Sequence, residues 1–349
     1  MLVARGDTVL FRQAYGPADR RTGAPLTPEA RFRIASLSKQ FTAAAVLQLQ
    51  DRGVLSVEDS VCRWITPCPE AWRPVTLHHL LTHTSGVPDL MDRPGWSKRR
   101  WAEVTPAELT AASAALPLAF APGERVDYSN AGYNLLGAVV ERATGQPFHP
   151  HLRSALLEPL GLKTTGFDDG GTPLATGYTA GADGVIAQPN SNAGVIFAAG
   201  GLHSTADDLF HWTRALHRGR VLSARSYAQM IGDDRPERYP SVERRGVTQT
   251  YGYGLFIGAP GLRVRPGFAD RQIFHTGSWA GFRAFAAYQP EAQVTVVVLS
   301  NRFDQEDAVL LAAQRAMAEA LRRPLPEAAV RRTEAAASLP AVHHNGATP

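Results

Sequence analysis

The chain has 349 residues, a formal net charge of +4, 44% hydrophobic residues and 19% charged residues. That length buries one large core or two domains, and the composition is that of an ordinary globular protein. Nucleic acid is not an expected partner. The arginines are scattered, and the one dense basic run, Trp96-Ser97-Lys98-Arg99-Arg100-Trp101, reads as a solvated face. No apolar stretch approaches the length of a membrane span.

In chain order, Leu2-Val3-Ala4-Arg5 and Thr8 to Arg12 flank Gly6-Asp7, a hairpin signal. Phe32-Arg33-Ile34 then enters a helix over residues 36 to 50, stopped at Arg52-Gly53. Ser56-Val57-Glu58-Asp59 starts a short turn of helix. Cys62 and Cys68, the only cysteines, make no metal framework and read as two reduced thiols, or as a local disulfide if the protein is exported. Met1 leads directly into a strand-like run with no signal-peptide pattern. The default location is therefore the cytoplasm, with a periplasmic or secreted one the alternative if the start is truncated.

Helices joined by Pro/Gly loops follow: Thr76 to His83, a capping box at Thr105-Pro106-Ala107-Glu108, and Ala131 to Thr144 closed by Gly145. Residues 168 to 200 lack periodicity and read as a long ordered loop. Ser204-Thr205 caps a helix through about Leu216. Strands follow at Tyr253 to Ile257, Gln272 to His275, Arg283 to Tyr288 and Val294 to Leu299. Asp304 to Arg322 is an amphipathic helix with Val309, Leu310, Ala313, Met317 and Leu321 on one stripe. Residues 324 to 349 read as a loose tail. Strands at both ends around a helical insert predict one antiparallel sheet covered by the Ser36 helix, with a second, helical lobe. The expected division is 1–60 and 200–323 against 61–199, with Ser36 in the cleft where sites form.

Ser36 and Lys39 stand one helical turn apart and share a face. A serine hydroxyl needs a base to take its proton, and a desolvated lysine can serve. The chain has lysine only at Lys39, Lys98 and Lys163. Arginine could not do the same work, because it stays charged. Apolar residues surround Lys39 along the helix, which is the setting that depresses a lysine pKa.

Two further stretches fit acyl transfer. In Tyr128-Ser129-Asn130 the phenol could relay a proton and the Asn130 amide could hold a substrate carbonyl. Taken alone, the stretch reads as a helix N-cap. His275-Thr276-Gly277-Ser278 ends a strand. Its glycine would let a substrate backbone approach. The Ser278 amide could join that of Ser36 as an oxyanion hole. Taken alone, it is a strand-end turn.

Together the three stretches resemble the superfamily of class C β-lactamases, penicillin-binding DD-peptidases and esterases, with S-x-x-K, Y-x-N and H-x-G elements. Leu80-Leu81-Thr82-His83-Thr84-Ser85-Gly86, Leu160-Gly161-Leu162-Lys163 and Gly200-Gly201-Leu202-His203-Ser204-Thr205 are similar too, so the resemblance spans residues 2 to 322. It implies an α/β sandwich, an antiparallel sheet flanked by helices, plus a mainly helical lobe. It also implies roles: Ser36 as nucleophile, Lys39 and Tyr128 as the base pair, Asn130 as substrate ligand. His275-Thr276-Gly277 would be the docking strand, with the Ser36 and Ser278 amides as oxyanion hole. The substrate would be a small ester, amide or peptide, with no cofactor and no metal. Family members usually open with a helix beside the C-terminal one. Here the chain begins at the strand, which puts cover for the Val309, Leu310 and Met317 stripe in question and leaves the oligomeric state open.

The rivals are weaker. His78, His79 and His83, or Asp207 with His211, match no metal motif. No G-x-S-x-G for an α/β-hydrolase occurs. A β-lactamase proper is the nearest alternative, although His275 stands where such enzymes carry lysine. A catalytically silent ligand-binding relative would have lost Ser36, Lys39 or Tyr128, and all three are present.

Overall fold

The computed structural model describes residues 1–99, 103–167, 173–182, 184–188, 193–244, 247–260 and 271–324. Arg100 and Trp101 of the basic run and the tail beyond residue 324 lie outside the described residues.

The central sheet takes strands from both chain ends. They are β1 (Leu2–Arg5), β2 (Thr8–Arg12), β3 (Ser241–Arg244), β4 (Val247–Tyr251), β5 (Phe256–Gly258), β6 (Gln272–Trp279), β7 (Phe282–Gln289) and β8 (Val294–Ser300). Their spatial order is β3-β4-β5-β6-β7-β8-β1-β2, antiparallel throughout. The N-terminal hairpin joins the C-terminal strands through Leu2 opposite Val297 and Ala4 opposite Thr295.

Alternation along the strands sorts side chains to two faces. Leu2, Ala4, Ile273, Ala284, Ala286 and Val297 join one apolar cluster with α1 (Ser38–Asp51) and with residues that include Leu209 and Trp212. Val3, Phe274, Phe285, Ala287, Val296 and Val298 join a second with Val309, Leu310, Ala313 and Met317. The stripe of the last helix is thus covered by the sheet itself, a cover the sequence left in question.

Within the helical region lie α2 (Leu77–Leu81), α3 (Pro106–Ala114) and α4 (Asn130–Thr144). Then come α5 (Ala206–His217) and α6 (Glu306–Leu321). The starts of α2, α3, α4 and α5 are the capped ones read from sequence. Thr76 and Thr105 close capping boxes with His79 and Glu108, and Gly145 ends α4 in the left-handed region. Helix α1 is buried on nearly all sides, as its composition requires. Phe41 stacks on Trp212 at 4.0 Å, and burial of such a ring contributes about 2–3 kcal/mol.

Several expectations need correcting. Cys62 and Cys68 are joined by a disulfide, with Cα atoms 5.3 Å apart, and are not two reduced thiols. Ser56 to Asp59 is a turn closed by Asp59 N–H to the Ser56 carbonyl; the helical turn comes later, at Val61–Arg63. The stretch 168–200 is no single loop. It contains a hairpin, Tyr178–Gly181 with Gly184–Ala187, and a helical turn at Phe197–Gly200. Strands β3 and β4 were not read from sequence, because their polar, charged residues break the apolar alternation. Strand β5 starts only at Phe256, because Gly254 (φ +72°) packs against the Lys39 backbone.

Candidate active site

The site begins where Phe32–Arg33 pairs with the strand Leu202–Ser204. Ile34 N–H then bonds the Leu202 carbonyl, and Ala35 takes a φ of +47°, unusual for a residue with a Cβ. This sharp turn delivers Ser36 on the short helical turn Ala35–Leu37, half-buried, with Lys39 in the first turn of α1 behind it. Two bonds pin the junction from the far side: Leu202 N–H to Ser38 Oγ at 3.1 Å and Thr42 Oγ1 to the Ala198 carbonyl at 2.6 Å.

Lys39 is completely buried. Its Nζ lies 3.2 Å from Ser36 Oγ, 2.8 Å from Asn130 Oδ1 and 2.9 Å from the Ala199 carbonyl. Burial pulls its pKa down to about 7, against a smaller opposing pull from the Asp89 charge. The ammonium nitrogen stands 4.7 Å from the Tyr128 ring centre and 5.4 Å from that of Tyr133.

Tyr128 and Asn130 come from the chain entering α4, whose N-cap is Ser129. The N-cap reading of that stretch and its placement at the site therefore hold together. Asp89 accepts from the Asn130 amide group at 2.7 Å and from its backbone N–H at 3.0 Å. His83 accepts from Ser129 N–H at 3.1 Å and lays its ring 4.2 Å from that of Tyr128. The His83 pKa falls well below its usual value, through burial and then through Lys39 and His275.

From the sheet side, β6 brings His275, Thr276, Gly277 and Ser278. His275 is buried; its Nδ1 donates to the Thr276 carbonyl at 2.6 Å and its Nε2 meets the Tyr251 hydroxyl at 3.2 Å. A Cβ on Gly277 would collide with the Ile34 carbonyl. The space that glycine leaves is filled by the turn before Ser36, so its first service is to that turn and not to an incoming chain. A cavity of about 450 Å³ opens between these elements, lined by Ser36, Tyr128, Asn130, His275, Thr276 and Ser278 among others.

Of the eight residues singled out from sequence, six line this cavity, Lys39 lies buried behind Ser36, and Gly277 packs against the Ile34 carbonyl. Sequence reasoning missed Asp89, Tyr133, Tyr251 and the Ala199 carbonyl, and it gave His83 no place at the site. His83 was named in a stretch that resembles the family and among histidines that match no metal motif, and neither reading gave it a role. Asp89 carried no signal beyond that of a helix cap. His78 and His79 are accounted for by Tyr253 and Thr76, and Asp207 by Arg12. No metal-binding group occurs among the described residues.

The family model described as beta-lactamase matches residues 1–320. The chain belongs to the beta-lactamase family. Among relatives in that family, penicillin-binding protein 4* of Bacillus subtilis is 28% identical over 339 residues, covering 90% of this chain and 71% of that protein. Esterase EstB of Burkholderia gladioli is 41% identical over 184 residues, 48% of this chain and 46% of the esterase. The octameric penicillin-binding protein homologue from Pyrococcus abyssi superposes with a TM-score of 0.78 at 28% identity, over 92% of this chain and 73% of the other. The α/β sandwich is the fold of this family, and its members include serine hydrolases that work through an acyl-enzyme. No helix among the described residues is long and apolar enough to cross a membrane.

Proposed function

We propose that this chain hydrolyses an ester or amide through an acyl-enzyme on Ser36. The observation that carries the reading is the set of contacts around Lys39. A neutral lysine has two N–H hydrogens and one lone pair. Asn130 Oδ1 and the Ala199 carbonyl can only accept, so they take the two hydrogens and leave the lone pair for the Ser36 hydroxyl. A pKa near 7 keeps that neutral form populated at working pH.

In the forward step Ser36 Oγ bonds to the substrate carbonyl carbon as its proton passes to Lys39. The oxyanion is held by the Ser36 and Ser278 amides. Collapse breaks the bond to the leaving alcohol or amine, which takes a proton from the Lys39–Tyr128 pair. Water then attacks the acyl carbon as the same pair takes its proton, and the Ser36 Oγ–acyl bond breaks as that proton passes to Oγ, which releases the acid and restores the enzyme. Asn130 and the strand His275-Thr276-Gly277 hold the substrate.

The substrate class follows from His275. With Nδ1 donating to a carbonyl, a neutral ring satisfies both of its described contacts by accepting from Tyr251 at Nε2. Such a ring offers little to the carboxylate of a β-lactam. We therefore favour a short ester, or a D-amino acid peptide or amide, over a β-lactam; the esterase relative supports the choice. The Cys62–Cys68 bond favours an oxidising compartment over the cytoplasm.

The test is intact-mass analysis after a fluorophosphonate, in wild type and Ser36→Ala. One adduct, absent from the variant along with ester turnover, is expected. The loss should be about a thousandfold or more in rate. An equal adduct in the variant defeats the assignment, and no turnover of any ester or amide favours a silent binder.

A further inference from the structure

We propose that Asp89 is a positioning residue that orients the Asn130 amide and sets the pH at which Lys39 can accept the Ser36 proton. The proposal rests on the reading of Lys39 as base given above.

The geometry is that of one carboxylate doing three things. Oδ1 caps the turn Leu90–Asp92 by accepting from Met91 N–H at 3.0 Å. Oδ2 accepts from the Asn130 backbone and from its side-chain amide. An ionised carboxylate can only accept, so the NH₂ of Asn130 must face Asp89 and Oδ1 must face Lys39. Were the amide turned over, its NH₂ would face the Lys39 hydrogens and one acceptor would be lost. The lone pair of a neutral Lys39 would then no longer be directed at Ser36 by elimination. Asp89 thus fixes, at one remove, which way the base points.

The same carboxylate brings negative charge to a buried lysine. The groups around Lys39 are Asn130 and Tyr133 from α4, Tyr128 ahead of it and His83 after α2. His275 and Tyr251 stand beyond, from β6 and β4. Burial lowers the Lys39 pKa and the Asp89 charge opposes it. Asp92 lies close enough to Asp89 for the Asp89 charge to raise its pKa, after the larger effect of burial.

The experiment is the pH dependence of Ser36 labelling by a fluorophosphonate, and of nitrophenyl ester turnover, for wild type, Asp89→Asn and Asp89→Ala. In Asp89→Asn a side-chain carbonyl can still accept both bonds from Asn130, but the charge is gone. The plateau rate should stay within about threefold, and the acidic limb should move down by about one pH unit. Asp89→Ala releases the amide as well, so its plateau kcat should fall about tenfold or more with KM nearly unchanged. Should the Asn variant not fold, Asp89→Ser keeps a capping acceptor without charge and should show the same shift. An acidic limb that stays in place or moves up in a folded neutral variant overturns the proposal. Labelling that persists in Ser36→Ala overturns both this proposal and the reading beneath it. Ser36-dependent labelling with an unmoved limb overturns this one alone.

Discussion

Lys39 is the residue whose chemistry depends most on where the fold has put it. Its pKa of about 7 is a burial effect, so its sign is fixed: below that pH the amine is protonated and cannot accept. Ester turnover should fall as pH drops through about 7, and the wild-type kcat/KM profile checks it. Lys39→Arg should be nearly as inactive as Lys39→Ala, because arginine stays charged and is too large for the cavity Nζ occupies. Substantial activity in Lys39→Arg would show that only positive charge matters. His275 makes the matching case for specificity. A lysine there would bring a cation at neutral pH where the histidine contacts suit a neutral ring. His275→Lys should raise kcat/KM for a carboxylate-bearing substrate relative to a neutral ester, most above pH 7. Efficient wild-type β-lactam turnover that the substitution leaves unchanged would remove the reason for preferring an esterase or amidase. Ser36, Lys39 and Tyr128 were legible because their residue types are chemically restricted. Asp89 was not, since an aspartate before a short turn is ordinary and its partner Asn130 lies far along the chain.

At the scale of elements, what could be read was what local chemistry decides. Thr76, Thr105, Ser129 and Gly145 mark helix ends through bonds or backbone angles made within a few residues. Strands β3 and β4 were missed because their membership is decided by pairing, β3 with β4 and β4 with β5, and not by their own pattern. The fit between β6 and the Ser36 turn is a further case. Gly277 looks from sequence like room for substrate, yet its missing Cβ is the space into which the Ile34 carbonyl fits. Gly277→Ala must push β6 from the turn or move Ser36 itself. We expect kcat for ester hydrolysis to fall about a hundredfold, since small misplacements of a reacting group are costly. Loss of stability should be near 1–3 kcal/mol, as for other overpacked sites. A Gly277→Ala enzyme with normal kcat would show that the turn tolerates the displacement.

For the whole molecule, the chain-end strands and the central insert were legible as a sandwich and a helical lobe. We propose the division at residues 1–60 and 200–323 against 61–199. How tightly the two halves are joined was not legible, because it depends on which faces meet. One apolar cluster includes Trp72, Leu80 and Val139 from the insert together with Phe41, Trp212 and Val297 from the sandwich. Helix α1 packs against α4 and against the turn Phe197–Gly200, and Lys39 and Thr42 bond directly to carbonyls of that turn. Neither half can therefore open without exposing the other's core and breaking the site between them. The expected outcome is a single cooperative transition, in which tryptophan fluorescence, far-UV circular dichroism and loss of ester turnover share one midpoint in urea. Trp72 and Trp212 make fluorescence sensitive to both halves, since each is buried in its own. Trp72→Phe and Trp212→Phe each leave five of the six tryptophans and remove the buried probe of one half, and both variants should keep the fluorescence midpoint coincident with the other two signals. Activity lost well before either signal would mean that the cleft opens while both halves stay folded, and that the shared cluster does not couple them.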